Sequence, residues 1–273
     1  MNLISGDCIE EMAKMPPGVI NMIFANPPSH SLLKGSEKEN LSYFSEWAGV
    51  VYRILHRKGS LFFYGRPYWL IKVFPVFQEA GFQLGSWIVW DIFLTRRKPE
   101  PLLKTHFGIL HLVKQKDFKK FLIRRPHGNC LLEGTSAEDK RHEFGPLVSE
   151  VWSDIPGEVL KVWGKKVNYR VSRVLLERLM LMSTEQGDRV LDPFLGNKST
   201  TLIAAKRLAR QGIGIAPSQL EVEFVRVKLK KEFVQSHIGG YWVSFDFSNK
   251  LRTIRDEDWK GLKKFISPNS YSK

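Results

Sequence analysis

Sulfur is scarce in this chain: of 273 residues only Cys8 and Cys130 are cysteines, far apart and without metal-ligand spacing. That excludes a metal site or disulfide framework built on cysteine and points to a reducing, cytoplasmic setting. Long apolar runs are missing as well. No stretch approaches membrane-spanning length, and the opening "MNLISGDCIEEMAKM" lacks the basic-then-apolar order of a signal peptide, so a soluble chain with no membrane partner is expected. There is no internal repeat and no low-complexity tract. Acidic residues are few, 28 against 42 lysines and arginines, which leaves a net charge of +14.

What is present follows from these gaps. With 43% hydrophobic residues the chain can bury a full core, as one large α/β domain or a domain carrying an insertion. The basic excess attracts polyanions and releases their counterions, which makes nucleic acid the leading partner class. The charge is clustered, in "LTRRKPEPLLK" (94–104), "KQKDFKKFLIRRPH" (114–127) and "KLKKEF" (228–233). Arg96, Arg97, Lys98, Lys104, Arg124 and Arg125 are the candidate nucleic-acid contacts, chiefly to phosphates; a solvated surface face is the alternative for each taken singly.

Along the chain, strand-like and helix-like patterns alternate. "GVINMIFANPP" is a buried strand ending near Ala25, with Asn26 to Ser29 as the loop at its carboxyl edge. "NLSYFSEWAGVVYRILHRKG" has helical spacing with a stop at Gly59, "SLFFYG" is a second strand, and "PYWLIKVFPVFQEAGF" is helical despite Pro75. "LGSWIVWDIF" and "FGILHLVK" are further strands. After a basic, polar stretch the rhythm returns: a helix over "NYRVSRVLLERLMLMS", strand "RVLDPF", a helix over 199–210, strand "QGIGI" and a long helix over "SQLEVEFVRVKLKKEF". Such alternation predicts a doubly wound, mostly parallel α/β sheet with ligands at the strand carboxyl ends. The expected divisions are 1–94, an inserted lobe at 95–160, 161–238, and a C-terminal extension at 239–273. Trp47, Tyr52, Phe62, Phe63, Trp87 and Trp90 lie in apolar patterns and are read as core. His106, His127 and His142 are scattered through the lobe and give no metal-ligand set.

Two loops carry the chemistry: "FANPPS" after an early strand and "LDPFLGNKST" after a late one. Together with "GDCIEEMAKMPPGVINMIFANPP", "VSEVWSDIP", "LLERLM", "GDRVLDPFLG" and "GIGIAPSQLEV", in that order, they resemble the DNA amino-methyltransferases that modify adenine N6 or cytosine N4. The resemblance is to the β-type arrangement, with the catalytic loop before the cofactor loop, and covers nearly the whole chain. It implies a methyltransferase-like, Rossmann-like sheet of about seven strands with an inserted target-recognition lobe, and S-adenosylmethionine as the family cofactor.

By the same resemblance, the catalytic loop is Asn26, Pro27, Pro28 and Ser29. The amide oxygen of Asn26 stands where the family accepts a hydrogen bond from the exocyclic amine of a flipped base. Ser29 replaces the ring on which that base stacks, a contact worth about 1–3 kcal/mol. In the cofactor loop Asp192, Pro193, Phe194 and Gly196 match D-P-F-x-G, but Asn197, Lys198 and Ser199 stand where S-G-T is expected. Lys198 either faces solvent or enters the cofactor cavity. The next strand end, where an acidic residue takes the ribose hydroxyls, offers Gly214 and Ala216, and leaving those hydroxyls unpaired costs about 1–3 kcal/mol. "VNYRVS" stands where H-P-T-Q-K-P or similar is usual. Four changed positions on an intact frame imply a family member that has lost cofactor binding.

The late loop has two other chemical readings. "GNKST" departs from a phosphate-binding loop because Asn197 precedes Lys198 and Leu191 to Pro193 occupy the place of the first glycine. A helix beginning near Ser199, beside Lys198, can still attract an anion such as a DNA phosphate. Three functions are therefore compatible with the sequence. The first is a non-catalytic, DNA-binding subunit paired with an active methyltransferase chain, or with a second copy of itself. The second is an active, divergent S-adenosylmethionine-dependent DNA methyltransferase of a restriction-modification system. The third is a DNA-binding regulator on the same scaffold.

Overall fold

The computed structural model describes residues 1–28, 35–92, 105–118, 122–124, 148–155, 158–160, 168–196, 199–232 and 243–245. Two compact units emerge, one of residues 1–119 with 150–235 and one of 120–149 with 236–273.

The first unit is built on an eight-stranded sheet with helices. In chain order it comprises β1 (Asn2–Ser5), α1 (Cys8–Ala13), β2 (Ile20–Ala25), α2 (Glu37–Ile54), β3 (Leu55–Gly65), α3 (Pro67–Glu79), β4 (Gln83–Asp91) and β5 (His106–Val113). In the second unit lies β6 (Leu122–Arg124), and the first resumes with β7 (Val151–Trp152), β8 (Glu158–Leu160), β9 (Asn168–Arg170), α4 (Arg173–Ser183), β10 (Arg189–Asp192), α5 (Thr200–Arg207), β11 (Gln211–Ala216) and α6 (Gln219–Glu232). β12 (Val243–Phe245) pairs antiparallel with β6 in the second unit, and β8 with β9 in a separate two-stranded sheet.

The main sheet runs β1-β11-β10-β2-β3-β5-β4-β7. Only β5 is antiparallel to its neighbours. The doubly wound, mostly parallel α/β class predicted above is therefore what the chain adopts, with the two-residue β7 as an eighth strand at one edge. β5 and β7 fall between residues 95 and 160 yet are strands of this sheet.

Buried strands explain the near-continuous apolar runs: Ile20, Met22, Ile23, Phe24 and Ala25 of β2 are all buried, because helices cover both faces. On one face Ile23, Leu61, Phe63 and Leu110 meet Trp47 of α2 and Phe77 of α3. On the other, α4 packs on β2, β3 and α5, while Leu195, Leu202 and Val225 form a second cluster beneath α5 and α6.

Local signals set the helix starts. Asp7 accepts from Ile9 N at 2.8 Å, and Ser36 with Glu39 forms a reciprocal capping box that opens α2. α2 ends earlier than the Gly59 stop that was expected: its last residue is Ile54, and Leu55 is already extended. Gly59 instead lies inside β3, where the register against β2 shifts between Ile20 and Met22 and an added Cβ would lie 2.8 Å from the Asn21 carbonyl oxygen. The residue is required by that close backbone approach, not by a helix end. Pro75 is held within α3 because it is exposed, as is Ile71 four residues earlier, so the carbonyl it leaves unbonded faces water. No described helix is long and apolar enough to cross a membrane.

Candidate active site

Parallel pairing brings the two loops together. Leu191 of β10 pairs with Ile23 of β2, so Asp192 falls level with Phe24 and Asn26 lies just beyond the strand end. Phe24, Asn26, Val171, Leu176, Asp192, Phe194, Thr200 and Thr201 line one cleft there, with about 290 Å³ of space that is partly open to solvent.

Asp192 is 5% exposed and both carboxylate oxygens accept hydrogen bonds. Oδ1 takes the Phe194 N–H at 3.1 Å and Oδ2 takes the Thr201 hydroxyl at 2.6 Å, which ties the strand end to the first turn of α5. Phe194 stacks on Trp47, with centroids 5.6 Å apart and planes 26° from parallel. Gly196 has φ +52°, a left-handed conformation that accounts for glycine at this turn. Pro27 is buried and Pro28 exposed, and Asn26 is half-buried on the cleft wall with no side-chain hydrogen bond among the described residues.

The two candidate ribose positions separate clearly. An added Cβ at Gly214 would lie 2.4 Å from Leu195 Cδ2 and 3.2 Å from Leu202 Cδ1, so this residue faces the α5–α6 packing cluster. Ala216 ends β11 and is fully buried, its carbonyl accepting from Gly6 N at 3.0 Å. Neither supplies a carboxylate. Asp192 is the one acid lining the cleft among the described residues, and its oxygens are already committed to the loop and α5. Neither β11 position therefore offers the ribose hydroxyls of S-adenosylmethionine a side-chain acceptor.

Ser29, Asn197, Lys198, Arg96, Arg97, Lys98, Lys104 and Arg125 lie outside the described residues, as do His127 and His142; Arg124 belongs to β6, of which the backbone alone is described. The cleft is completed by residues from segments whose part in it the sequence left unassigned. Thr200 and Thr201 end the S-T-T run, while Val171 of "VNYRVS" and Leu176 of "LLERLM" are brought to the cleft by α4 and the residues leading into it, which pack beside β2.

Beside the cleft, Arg178 of α4 is 0% exposed and forms a two-pronged pair with Asp154, at 3.0 Å and 2.5 Å, while its guanidinium carbon lies 4.7 Å from the Trp152 ring. Trp90 Nε1 donates to the Ile155 carbonyl at 2.7 Å. These contacts fasten residues 151–155 to α4 and the sheet. Glu177 sits between Arg173 at 3.2 Å and Arg207 at 2.9 Å; burial raises its pKa above the usual carboxylate value, and the two cations pull it back only in part.

Against known proteins, the profile of the N6/N4 methyltransferase family, described as DNA methylase, matches residues 20–226. The type II methyltransferase M.BamHI of Bacillus amyloliquefaciens is 30% identical over 244 residues, which cover 84% of this chain and 57% of that protein. The chain thus spans little more than half the length of this relative. M2.DpnII of Streptococcus pneumoniae is 27% identical, with 85% of this chain and 90% of that one covered. Among solved structures, TTHA0409 of Thermus thermophilus, complexed with S-adenosyl-L-methionine, superposes with a TM-score of 0.63 at 23% identity, covering 85% and 93% of the two chains. The cytosine-N4-specific PvuII DNA methyltransferase superposes at 0.62 with 18% identity, covering 97% and 91%. Both structural likenesses bear on the fold.

Proposed function

This chain belongs to the N6/N4 DNA methylase family, and from that premise we propose that it is a DNA-binding subunit working beside an active methyltransferase chain, without an S-adenosylmethionine site of its own. The observation that carries the reading is the end of β11. Ala216 presents a methyl group where the family places a carboxylate, and the space at Gly214 is filled by Leu195. The remaining cleft acid, Asp192, is engaged by Phe194 and Thr201. Ser29 in place of a stacking ring and Lys198 in place of a loop glycine point the same way, and the net charge of +14 supports DNA as the partner that is kept. The lysines and arginines at 96–98, 104 and 124–125 are the proposed contacts, and the partner chain is proposed to supply cofactor and chemistry.

One observation favours a second reading. Asn26 and Asp192 still line one cleft on a turn whose left-handed glycine is intact, as an active amino-methyltransferase would need. Calorimetry decides between them. The isolated chain is expected to give no binding heat with S-adenosylmethionine, and transfer of a labelled methyl group to DNA is expected only when the partner recovered by co-purification is added. Micromolar cofactor binding, or methyl transfer by this chain alone, would establish the active enzyme instead.

A further inference from the structure

At the carboxyl edge of β3 the chain lays a cation on an aromatic shelf. Arg66, half-buried at the junction of β3 and α3, has its guanidinium carbon 3.8 Å from the centroid of the Phe107 ring, and its Nη1 donates to the His106 carbonyl at 3.0 Å. Phe107 stacks on Tyr64, with centroids 4.8 Å apart and planes 25° from parallel. Tyr64 is 6% exposed and its ring centroid is 6.4 Å from that of Phe24, which lines the cleft. A file of rings thus runs from the cleft to the guanidinium.

Register fixes the distance from the catalytic loop. Ala25 pairs with Phe63, so Asn26 falls level with Tyr64 and Arg66 is two residues further along the adjacent strand. With strands about 4.8 Å apart and about 3.3 Å per residue, the two backbones are separated by roughly 8 Å. That is close to one nucleotide step along a strand laid across the Asn26 loop.

The setting is tuned for an anion. A guanidinium resting on a ring and tied to a carbonyl has given up most of its rotamer freedom before a ligand arrives, so little further ordering is needed on binding. α3 opens with Pro67, has no acidic side chain in its first turn, and is entered through Arg66 without a side-chain cap bond. Its positive end adds to the arginine charge. We infer that Arg66, shelved on Phe107, holds a backbone phosphate of the nucleic-acid strand that passes the Asn26 loop. The inference rests on the DNA-binding reading above and assigns it a particular positioning residue.

The test is fluorescence anisotropy of the full chain on a labelled mixed-sequence DNA duplex across a salt series. Arg66→Met keeps the stem and removes the charge. It is expected to weaken binding about tenfold at low salt and to lower the slope of log K against log[salt] by about 0.9, the loss of one phosphate contact. Arg66→Lys is expected to keep the slope. Phe107→Leu leaves the cation unshelved and is expected to lower affinity with the slope retained. Melting curves accompany each variant, and if Arg66→Met fails to fold, Phe107→Leu decides: parental affinity there overturns the inference. So does a folded Arg66→Met with parental affinity and slope. A parent chain that shows no DNA binding brings down the functional reading and this inference together, whereas parental binding untouched by Arg66→Met brings down this inference alone.

Discussion

Replacing Asp154 by Asn should cost this protein more than replacing its partner Arg178 by Met. Arg178 is 0% exposed at the side chain and Asp154 is 26% exposed, joined by hydrogen bonds of 3.0 Å and 2.5 Å. Breaking a buried ion pair by removing one partner typically costs about 3–5 kcal/mol, because the other charge is stranded in the interior. In Asp154→Asn the guanidinium, 0% exposed, loses its two-pronged carboxylate. The partial exposure of the site and the acceptor oxygen that Asn retains bring the expected loss to about 2–3 kcal/mol. Arg178→Met removes the inaccessible charge, keeps a flexible apolar stem near Trp152, and leaves a carboxylate that can turn to solvent. Its expected cost is about 1–2 kcal/mol. Urea unfolding followed by tryptophan fluorescence measures both, and at about 2–4 °C per kcal/mol melting curves should show Asp154→Asn shifted by roughly 4–12 °C. An Asp154→Asn variant within about 0.5 kcal/mol of the parent, or an Arg178→Met variant that costs more than it, refutes the reasoning. Either result would mean that residues 151–155 are not held to α4 by this pair.

Ala209 follows α5 with φ +57°, and Arg210 N reaches the Ala205 carbonyl at 2.7 Å, a left-handed helix end that normally uses glycine. Ala209→Gly should therefore stabilise the fold by about 0.5–1 kcal/mol in urea melts, the strain relieved being partly offset by a more flexible unfolded chain. Gly214→Ala should destabilise by about 1–3 kcal/mol, since the new methyl would meet Leu195 at 2.4 Å; an unchanged unfolding midpoint would return Gly214 to the set of ribose-facing positions. Cys8 is buried beside the Tyr43 hydroxyl at 3.1 Å, and burial pushes its thiol pKa from 9.0 up to about 11. The raised value means that the folded state favours the neutral thiol, so this contribution to stability is complete below pH 9.0 and is lost as pH rises through about 11. In a Cys130→Ser background, thiol-specific disulfide reagents at about pH 8 should leave the native protein unmodified and react fully in denaturant, and fast native-state reaction would contradict the buried, protonated thiol.

The alternation of period-two and helical patterns was enough to place β2, α3, β4, β5, β10, β11 and α6, because each buries a face whose spacing is written in apolar residues. The ends were less legible. Nothing local announced that α2 would stop at Ile54, since Gly59 serves the β2–β3 contact, and β1 is too short and too exposed at its ends to register as a strand. The cleft divides in the same way. Asn26, Asp192, Phe194 and Gly196 were legible as motif positions, whereas "VNYRVS" and "LLERLM" were legible as segments only, and that Val171 and Leu176 are the residues lining the cleft depends on how α4 packs on β2.

By itself the sequence determined the class of fold, the two loops and the basic character of the molecule, since these depend on composition and on neighbours within a few residues. Tertiary structure alone decided which glycine is packing and which strand end faces the cleft, that the single cleft carboxylate found among the described residues is bound to its own loop and helix, and that an arginine after β3 lies on a ring from β5. Those facts depend on strand register and helix crossing, through which residues 40 to 168 positions apart come into contact, and no local pattern encodes that contact.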